Sequence, residues 1–155
     1  MVSLTKKTEY ALIAMTHLFR RQEGVVSARE IARDSGVALP MITNILKRLA
    51  HAEFIASERG ARGGYELSRP LKEISLHELI TAIEGPFQFV QCTPHGHSSA
   101  AGTCELEPTC PIRMSAQRIH EKLETFFKNV SLAEIADTNG TCGATVAISA
   151  APLAL

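Results

Sequence analysis

The sequence contains few long apolar runs. No stretch reaches the ~18 apolar residues of a membrane-spanning helix, and the first residues lack the apolar core of a secretory signal peptide. We therefore expect a cytoplasmic protein without a membrane partner. The 155 residues include only four cysteines. Because structural disulfides are rare in the cytoplasm, these cysteines indicate metal binding or redox chemistry.

The residue patterns of common catalytic and zinc sites are also missing. There is no recognisable Ser/His/Asp set, and the Gly-rich stretch 60–64 lies between predicted strands rather than before a phosphate-binding helix. We therefore predict that the protein is not an enzyme. The cysteines lack the paired C-x2–4-C spacing of structural zinc sites, which counts against a zinc-stabilised interaction module.

The charges are unevenly distributed, although the whole chain has a net charge of zero. Residues 1–72 contain twelve Lys or Arg and seven Asp or Glu, which gives a net charge of +5. Residues 73–155 contain four and nine, which gives −5. A basic half beside an acidic half indicates an anionic partner for the first half only.

Two helices are predicted at the start of the basic half. Residues 6–21 repeat apolar side chains at helical spacing, so one face is expected to be buried. That face comprises Tyr10, Ile13, Ala14, His17 and Leu18. The second helix is predicted over residues 28–35, with Ser27 as its N-cap, Glu30 completing a capping box, and Gly36 at the turn that follows.

A third helix, over residues 40–52, completes a helix-turn-helix with the second. The apolar residues predicted to face inward are Met41, Ile42, Ile45, Leu46 and Leu49. Thr43, Asn44 and Lys47 face outward, as base-reading residues of a recognition helix must.

A β-hairpin with a basic tip is predicted directly after these helices. Two strand-like runs in residues 54–67 flank a Gly-rich turn that carries Arg59 and Arg62, the composition of the wing of a winged helix. Arginines at this tip can reach phosphates or a minor groove. The candidate DNA-binding residues are Ser27, Pro40, Thr43, Asn44, Lys47, Arg59 and Arg62.

The acidic half is predicted to contain a short helix and a long one. The short helix begins at Ser75, with Glu78 completing a capping box, and ends at Gly85. The long helix spans residues 112–130 and has apolar residues at alternating steps of four and three, the pattern of a heptad seam. These residues are Ile112, Ala116, Ile119, Leu123, Phe126 and Val130. We predict that this helix forms a homodimer.

Three of the four cysteines lie in one stretch between the two helices. Cys92, Cys104 and Cys110 follow the spacing C-x11-C-x5-C. Interspersed prolines and glycines rule out a continuous helix or strand there, so this stretch is predicted to be a long functional loop. We interpret it as a metal centre that joins a DNA-binding half to a dimerising half.

The predicted fold is mainly α with a small β-hairpin: a winged helix-turn-helix domain plus a long C-terminal dimerisation helix. Residues 1–72 are assigned to the DNA-binding domain, and residues 73–136 to the cluster-binding loop and dimerisation helix. Residues 137–155, which are uncharged after Asp137, are expected to be a disordered tail.

Several segments resemble the Rrf2 family of bacterial winged-helix transcription regulators, which includes IscR, NsrR and the regulators of the SUF iron–sulfur assembly system. The similarity covers residues 2–136 and is highly specific in the wing. Its segments are Leu-Thr-Lys-Lys-Thr-Glu-Tyr-Ala-Leu at 4–12, Ser-Glu-Arg-Gly-Ala-Arg-Gly-Gly-Tyr at 57–65 and Cys-Glu-Leu-Glu-Pro-Thr-Cys-Pro-Ile-Arg at 104–113. The last segment is most similar to the SUF-system regulators.

The resemblance implies a homodimer that binds an operator in double-stranded DNA and carries an iron–sulfur cluster. A 2Fe-2S cluster is favoured, with 4Fe-4S as the alternative. The ligands implied by position are Cys92, Cys104 and Cys110, although many members have about five residues in the first gap rather than eleven. Cys142 lies outside the similarity and is interpreted as a bystander.

The fourth ligand differs among members of the family. IscR-like members have a histidine three residues after the third cysteine, where this chain has Arg113. NsrR-like members use an acidic residue near the start of the first helix of the other subunit, which corresponds to Glu9. His95 and His97 in the loop are alternatives that rank behind Glu9.

The resulting prediction is a cluster-dependent, repressor-type transcription regulator. It would sense cluster or iron status, redox stress or nitric oxide, and would control iron–sulfur assembly genes. Two alternatives use the same residues: a cluster-free or thiol-based winged-helix regulator, and an iron–sulfur electron-transfer protein.

Overall fold

The computed structural model describes residues 4–21, 24–60, 63–90 and 109–137. Within these ranges the chain forms α1 (Lys6–Arg20), α2 (Ala28–Ser35), α3 (Leu39–His51), β1 (Ile55–Glu58), β2 (Gly64–Leu67), a 3-10 turn (Leu71–Glu73), α4 (Leu76–Glu84), α5 (Arg113–Asn129) and α6 (Leu132–Ala136). The predicted mainly α fold with one hairpin is confirmed. Among the described residues, no helix is both long and apolar enough to cross a membrane.

Side-chain caps fix where several helices begin. Ser75 and Glu78 form the predicted capping box of α4, with both reciprocal hydrogen bonds present. Ser27 caps α2 by accepting from the Glu30 backbone N–H at 3.2 Å. The capping box predicted there also requires the Glu30 carboxylate to accept from the Ser27 backbone N–H. That part of the prediction is wrong, because the carboxylate accepts from the Arg21 guanidinium at 2.5 Å instead. That ion pair links the end of α1 to the start of α2.

The buried face of α1 differs from the predicted stripe. The helix packs against α3 and α4, and its buried residues are Thr8, Ala11, Ala14, Met15 and Leu18. Ile13 is exposed, and Tyr10 and His17 are only partly buried. The helix thus turns a neighbouring face inward, where two alanines allow the other helices to approach closely.

Helix α3 lies at the centre of the core. Ile42, Ile45, Leu46 and Leu49 are all buried, as predicted. Met41 is exposed, contrary to the prediction. It follows Pro40 in the first turn, about 100° around the helix from Ile42, and so falls outside the buried stripe.

The wing is an antiparallel pair, β1–β2, in which Ile55 lies opposite Leu67 and Glu58 opposite Gly64. Val26 extends the sheet, since it and Tyr65 exchange two backbone hydrogen bonds of 2.9 Å. A Cβ on Gly64 would lie 2.7 Å from the Val26 carbonyl oxygen, which is too close for any other residue. The base of the wing is therefore fixed against the segment that starts α2.

The C-terminal helices pack onto the same core. Residues of α4 and α6 belong to one cluster of buried side chains with α1–α3. Backbone bonds of 2.8 Å from Leu76 N–H to Val130 O and from Leu132 N–H to Ile74 O join the starts of α4 and α6. The Phe87 ring stacks on His120 of α5. The core continues across residue 72, so the predicted boundary there separates a DNA-binding segment from a cluster-binding and dimerising segment within one core. That assignment stays a prediction.

Glu84, the last residue of α4, joins α4 to the start of α1. Its carboxylate accepts hydrogen bonds from the Thr8 hydroxyl at 2.9 Å and from the Thr5 hydroxyl. Burial acts to raise the pKa of Glu84, but the two hydroxyls, with the charges of Lys7 and Arg48, outweigh it and lower the pKa below the ordinary 4.5. The contact therefore stabilises the charged form.

We expect Glu84→Gln to destabilise the protein at pH 7 by roughly 0.5–1 kcal/mol, since solvent screens a carboxylate near the surface. Because the pKa of Glu84 is lowered in the folded state, its contribution is present above pH 4.5 and is lost as the pH falls through the folded value. The difference in unfolding free energy between wild type and variant should therefore shrink below pH 4.5. Denaturant titrations at pH 7 and pH 4 would measure this, with Glu66→Gln on the exposed wing as control. A difference that is constant with pH would contradict it.

Candidate nucleic-acid interface and cluster ligands

The outer face of α3 carries the side chains predicted to read DNA. Asn44 and Lys47 are exposed, and Pro40 is exposed in the first turn. Thr43 is on the same side, but its hydroxyl donates to the Leu39 carbonyl at 2.8 Å. Two polar side chains, Asn44 and Lys47, thus project from the middle of the helix.

The inner face holds α3 rigidly in place. Four of the five core residues predicted for this helix leave at most 2% of their surface exposed. The Arg48 guanidinium donates to the Ile83 carbonyl and so joins α3 to α4. The buried core residues and the hydrogen bond to α4 together fix the position of α3. The outward residues are therefore presented by a rigid element, as base readout requires.

The wing brings a second basic element to this surface. Arg59 is exposed directly after β1, at the start of the turn between the strands. Arg62 lies outside the described residues. Ser27 follows Val26, the residue that bridges to Tyr65, and so lies at the base of the wing. Its hydroxyl already caps α2, so a further contact would use its remaining hydrogen-bonding capacity.

We expect Arg59→Ala to weaken DNA binding and to lower the slope of log affinity against log salt by about one unit, the value for one lost phosphate contact. Arg59→Lys keeps the charge and should keep the slope, so it serves as the matched control. Fluorescence anisotropy with a bound duplex over a range of salt concentrations would measure both. A wild-type slope in Arg59→Ala would remove this residue from the interface.

At this surface, sequence reasoning did not predict the correct start of α3. The helix begins at Leu39, one residue before the predicted Pro40, and Ala38 is the N-cap. Leu39 is therefore a first-turn residue, and 37% of its surface is exposed. Pro in the second helical position would have been the available signal, because its fixed φ suits the whole first turn.

Of the predicted cysteine ligands, only Cys110 lies in the described residues. Its thiol is free and partly buried, and its carbonyl accepts from the Arg113 N–H at 3.4 Å, in the turn that starts α5. Cys92 and Cys104 fall outside the described residues, as do the histidines and the fourth cysteine that the sequence singles out, His95, His97 and Cys142. A free, accessible thiol fits the requirement for a thiolate ligand to iron.

Glu9 lies in the first turn of α1, and 41% of its side chain is exposed. Its carboxylate accepts from the Lys6 ammonium at 2.6 Å, and this hydrogen bond raises the pKa of Lys6. Exposed ion pairs contribute little to stability. Little free energy would therefore be lost if the Glu9 carboxylate left Lys6 to bind a metal held by another subunit. Helix α1 packs mainly against α3 and α4, and α5 against α4, so in the described chain no extensive α1–α5 contact joins Glu9 to Cys110.

The predicted heptad seam of α5 divides into two parallel stripes. Ile112, Ile119 and Phe126, each seven residues apart, leave 62%, 44% and 47% of their surface exposed. Of the other members, Ala116 is buried, while Leu123 and Val130 are partly buried. One stripe is thus buried or partly buried within the chain, and the other is an apolar face open to solvent.

Comparison with known proteins gives consistent matches along the chain. Residues 4–138 match the Rrf2 family, described as "Iron-dependent Transcriptional regulator". The HTH-type transcriptional regulator IscR of Serratia proteamaculans is 29% identical over 133 residues, covering 85% of this chain and 77% of that protein. Two solved structures share the fold with a TM-score of 0.66 each. CymR, the global cysteine regulator of B. subtilis, is 24% identical over 88% of this chain and 97% of its own. T. potens IscR is 23% identical over 92% and 93%.

Proposed function

The chain belongs to the Rrf2 family, whose members are transcription regulators rather than enzymes, and from this premise we propose that it is an iron–sulfur cluster-dependent repressor. In this proposal it acts as a homodimer on a DNA operator. The cluster, with 2Fe-2S favoured over 4Fe-4S, is held by Cys92, Cys104 and Cys110 together with Glu9 of the opposite subunit. Its targets include iron–sulfur assembly genes, and its location is the cytoplasm.

The observation that carries the proposal is the exposure of polar and basic side chains on both α3 and the wing, whose strand β1 packs against α3. Asn44 and Lys47 project from a helix held rigidly by its inner face, and Arg59 follows at the wing. Lys and Arg attract the phosphates, while amide side chains such as Asn form paired hydrogen bonds with a base edge. This combination of a reading helix and a charged wing supports operator binding in the major groove with a flanking backbone contact.

The cysteine positions support a cluster, and the free thiol of Cys110 fits that role. A bound cluster would supply an iron centre that responds to oxidants, nitric oxide or iron supply. Cys110 precedes α5, the helix with the exposed apolar stripe, and Glu9 lies on α1, which packs against α3. In the proposed dimer the ligands would therefore come from residues near the dimerising helix and from the helix that packs on the recognition helix.

Glu9 offers a mechanism for changing DNA affinity. A carboxylate is a hard donor that binds iron less firmly than thiolates do, so Glu9 is the weakest of the proposed ligands. Without a cluster, the Glu9 carboxylate would keep the Lys6 ammonium as its partner, with Lys6 Nζ 2.6 Å from Glu9 Oε2. Because α1 packs on α3, a change in how α1 is held across the dimer would alter the spacing of the two recognition helices. That spacing must match half-sites about one helical turn of DNA apart.

The test is an anaerobic purification followed by absorbance spectroscopy, iron and sulfide analysis, and a DNA-shift assay. Iron with sulfide and a shifted operator duplex would support the proposal. A DNA shift without iron would favour the thiol-based regulator, for which the free thiol of Cys110 is the supporting observation. Iron and sulfide without a DNA shift would favour the electron-transfer alternative, and zinc would favour a structural metal site.

We expect Glu9→Ala to keep a cluster on three cysteines that decays faster in air and to alter DNA affinity, because the weakest ligand is lost. Lys6→Ala is the matched control, since it removes the competing partner of Glu9 without removing the carboxylate. The decay of visible absorbance after exposure to air would measure both. Equal decay rates for Glu9→Ala and wild type would exclude Glu9 as a ligand.

Mixed dimers distinguish ligation across the dimer from ligation within one subunit. One subunit carries Glu9→Ala and the other carries Cys104→Ala. If Glu9 binds across the dimer, both lesions fall at one site, and one intact cluster per dimer remains. Ligation within each subunit would instead damage both sites, and that result would disprove the trans arrangement.

A further inference from the structure

The first turn of α3 presents an unusual run of apolar residues to solvent. The four residues from Ala38 to Met41 are all exposed. Ala38 makes no side-chain hydrogen bond to the helix, although polar N-caps are preferred at such positions. Exposed runs of this length are disfavoured unless they serve a function. An interaction outside the chain is therefore needed to account for them.

Thr43 extends this apolar surface. It lies four residues after Leu39 and three after Pro40, so the three side chains are neighbours on one face of the helix. The Thr43 hydroxyl donates to the Leu39 carbonyl at 2.8 Å. With the oxygen turned toward the helix backbone, the methyl takes another staggered position on Cβ, away from that carbonyl. The hydroxyl proton of Thr43 is thus engaged, which leaves its methyl as the group free to make a contact outside the chain.

The polar residues of α3 lie beyond this edge. Asn44 and Lys47 are exposed in the following turns, whereas the Arg48 guanidinium is bonded to the Ile83 carbonyl. The helix surface therefore has an apolar first turn and a polar middle. The side chains nearest the helix N-terminus are those that reach base edges when a recognition helix enters the major groove.

We propose that Leu39, Pro40 and the Thr43 methyl form an apolar edge that reads the C5-methyl groups of thymines in the operator. The proposal rests on the operator binding proposed for α3. Among the bases, thymine alone presents a methyl group in the major groove, and Thr methyl and other apolar side chains are its usual contacts. Lys47 and Arg59 supply the charge that attracts the DNA backbone to the same surface. The operator should therefore have a thymine opposite this edge in each half-site.

The test uses the full-length protein and the duplex that it enriches from a random double-stranded library. Each thymine of that duplex is replaced in turn by deoxyuridine, which lacks only the C5-methyl group. Loss of one buried methyl should weaken binding about fourfold. We expect at least one thymine per half-site to show this penalty, and symmetric replacement in both half-sites of a dimer-bound duplex to multiply the two effects.

Two variants at one position separate the methyl from the hydroxyl. Thr43→Ser keeps the hydroxyl and removes the methyl, so the deoxyuridine penalty at the contacted thymine should disappear. Thr43→Val keeps a methyl and removes the hydroxyl, so the penalty should remain. Both side chains are small and suit a partly exposed helix position, and circular dichroism would verify folding.

Three results would overturn the inference. Wild-type binding that tolerates deoxyuridine at every position excludes methyl readout, although operator binding itself stands. A penalty of the same size in Thr43→Ser and Thr43→Val excludes Thr43 as the residue that reads the methyl. A library from which no duplex is enriched would overturn operator binding and this inference together.

Discussion

Ile119→Glu should convert the proposed dimer to monomers and leave the chain folded. In the single chain 44% of the Ile119 surface is exposed, so a charge there is solvated when the chain is alone. In the proposed dimer the same side chain lies in the seam between two α5 helices, where an unpaired carboxylate costs several kcal/mol. Each of the two subunits contributes one such charge. The dimer dissociation constant should therefore rise by at least about a hundredfold.

Sedimentation velocity would measure the change in mass, and denaturant titration would verify that the monomer is folded. Thr125→Glu is the matched control, because Thr125 is an exposed residue on a different face of α5. Leu123→Glu is less informative, since Leu123 is partly buried in the single chain and its loss would also affect folding. An unchanged dimer in Ile119→Glu would place the interface on another surface.

The loss of the dimer should also weaken DNA binding. A monomer contacts a single half-site, so it loses the gain in effective concentration that links two recognition helices. The salt dependence of the remaining affinity should fall along with the number of phosphate contacts. Binding by Ile119→Glu that matches wild type on a two-fold operator would show that dimerisation through α5 is not required.

Sequence reasoning succeeded where the signal is local. The α4 capping box needs only Ser75 and Glu78, three residues apart, and it forms as predicted. The same pattern at Ser27 and Glu30 failed in part, because Arg21 competes for the Glu30 carboxylate. Arg21 follows the last residue of α1, and its approach to Glu30 depends on how α1 and α2 pack. A short sequence motif contains no information about such a competitor.

The buried face of α1 could not be predicted from the sequence for a different reason. Residues 10–15 are apolar without interruption, so helical periodicity fits more than one face. Packing against α3 and α4 selects the face that contains Ala11 and Ala14, where small side chains permit close contact. On α5 the heptad pattern was recognisable, but only the structure shows that alternate members are already buried or partly buried in the single chain.

The candidate site combines predicted residues with Leu39, which the sequence had not placed in α3. Asn44, Lys47 and Arg59 were recognisable because helix periodicity and turn composition place them on the surface. Thr43 was predicted to face outward, but the role proposed for its methyl group depends on a rotamer, since its hydroxyl bonds the Leu39 carbonyl. A choice among staggered side-chain positions is not encoded in residue spacing, so the apolar edge could be inferred only from the structure.

Cys110→Ala should abolish the proposed cluster, with visible absorbance, iron and sulfide all falling to background. The physical reason is that thiolates are the ligands that hold iron–sulfur clusters, and the family pattern offers three in each subunit. Two cysteines and one carboxylate leave an iron without enough soft donors to be retained. Because Cys110 is only partly buried and its thiol is free, the Cys110→Ala variant should fold like wild type.

The matched control is Cys142→Ala, which removes one thiol of the four but lies outside the segment similar to the family. It should retain wild-type absorbance and metal content. Anaerobic preparation of both variants, with circular dichroism to establish folding, makes the comparison direct. If Cys110→Ala keeps the chromophore while Cys142→Ala loses it, the ligand set is misassigned. If neither variant nor wild type holds iron, Cys110 is left as a redox-active thiol, and the thiol-based regulator replaces the cluster-dependent one.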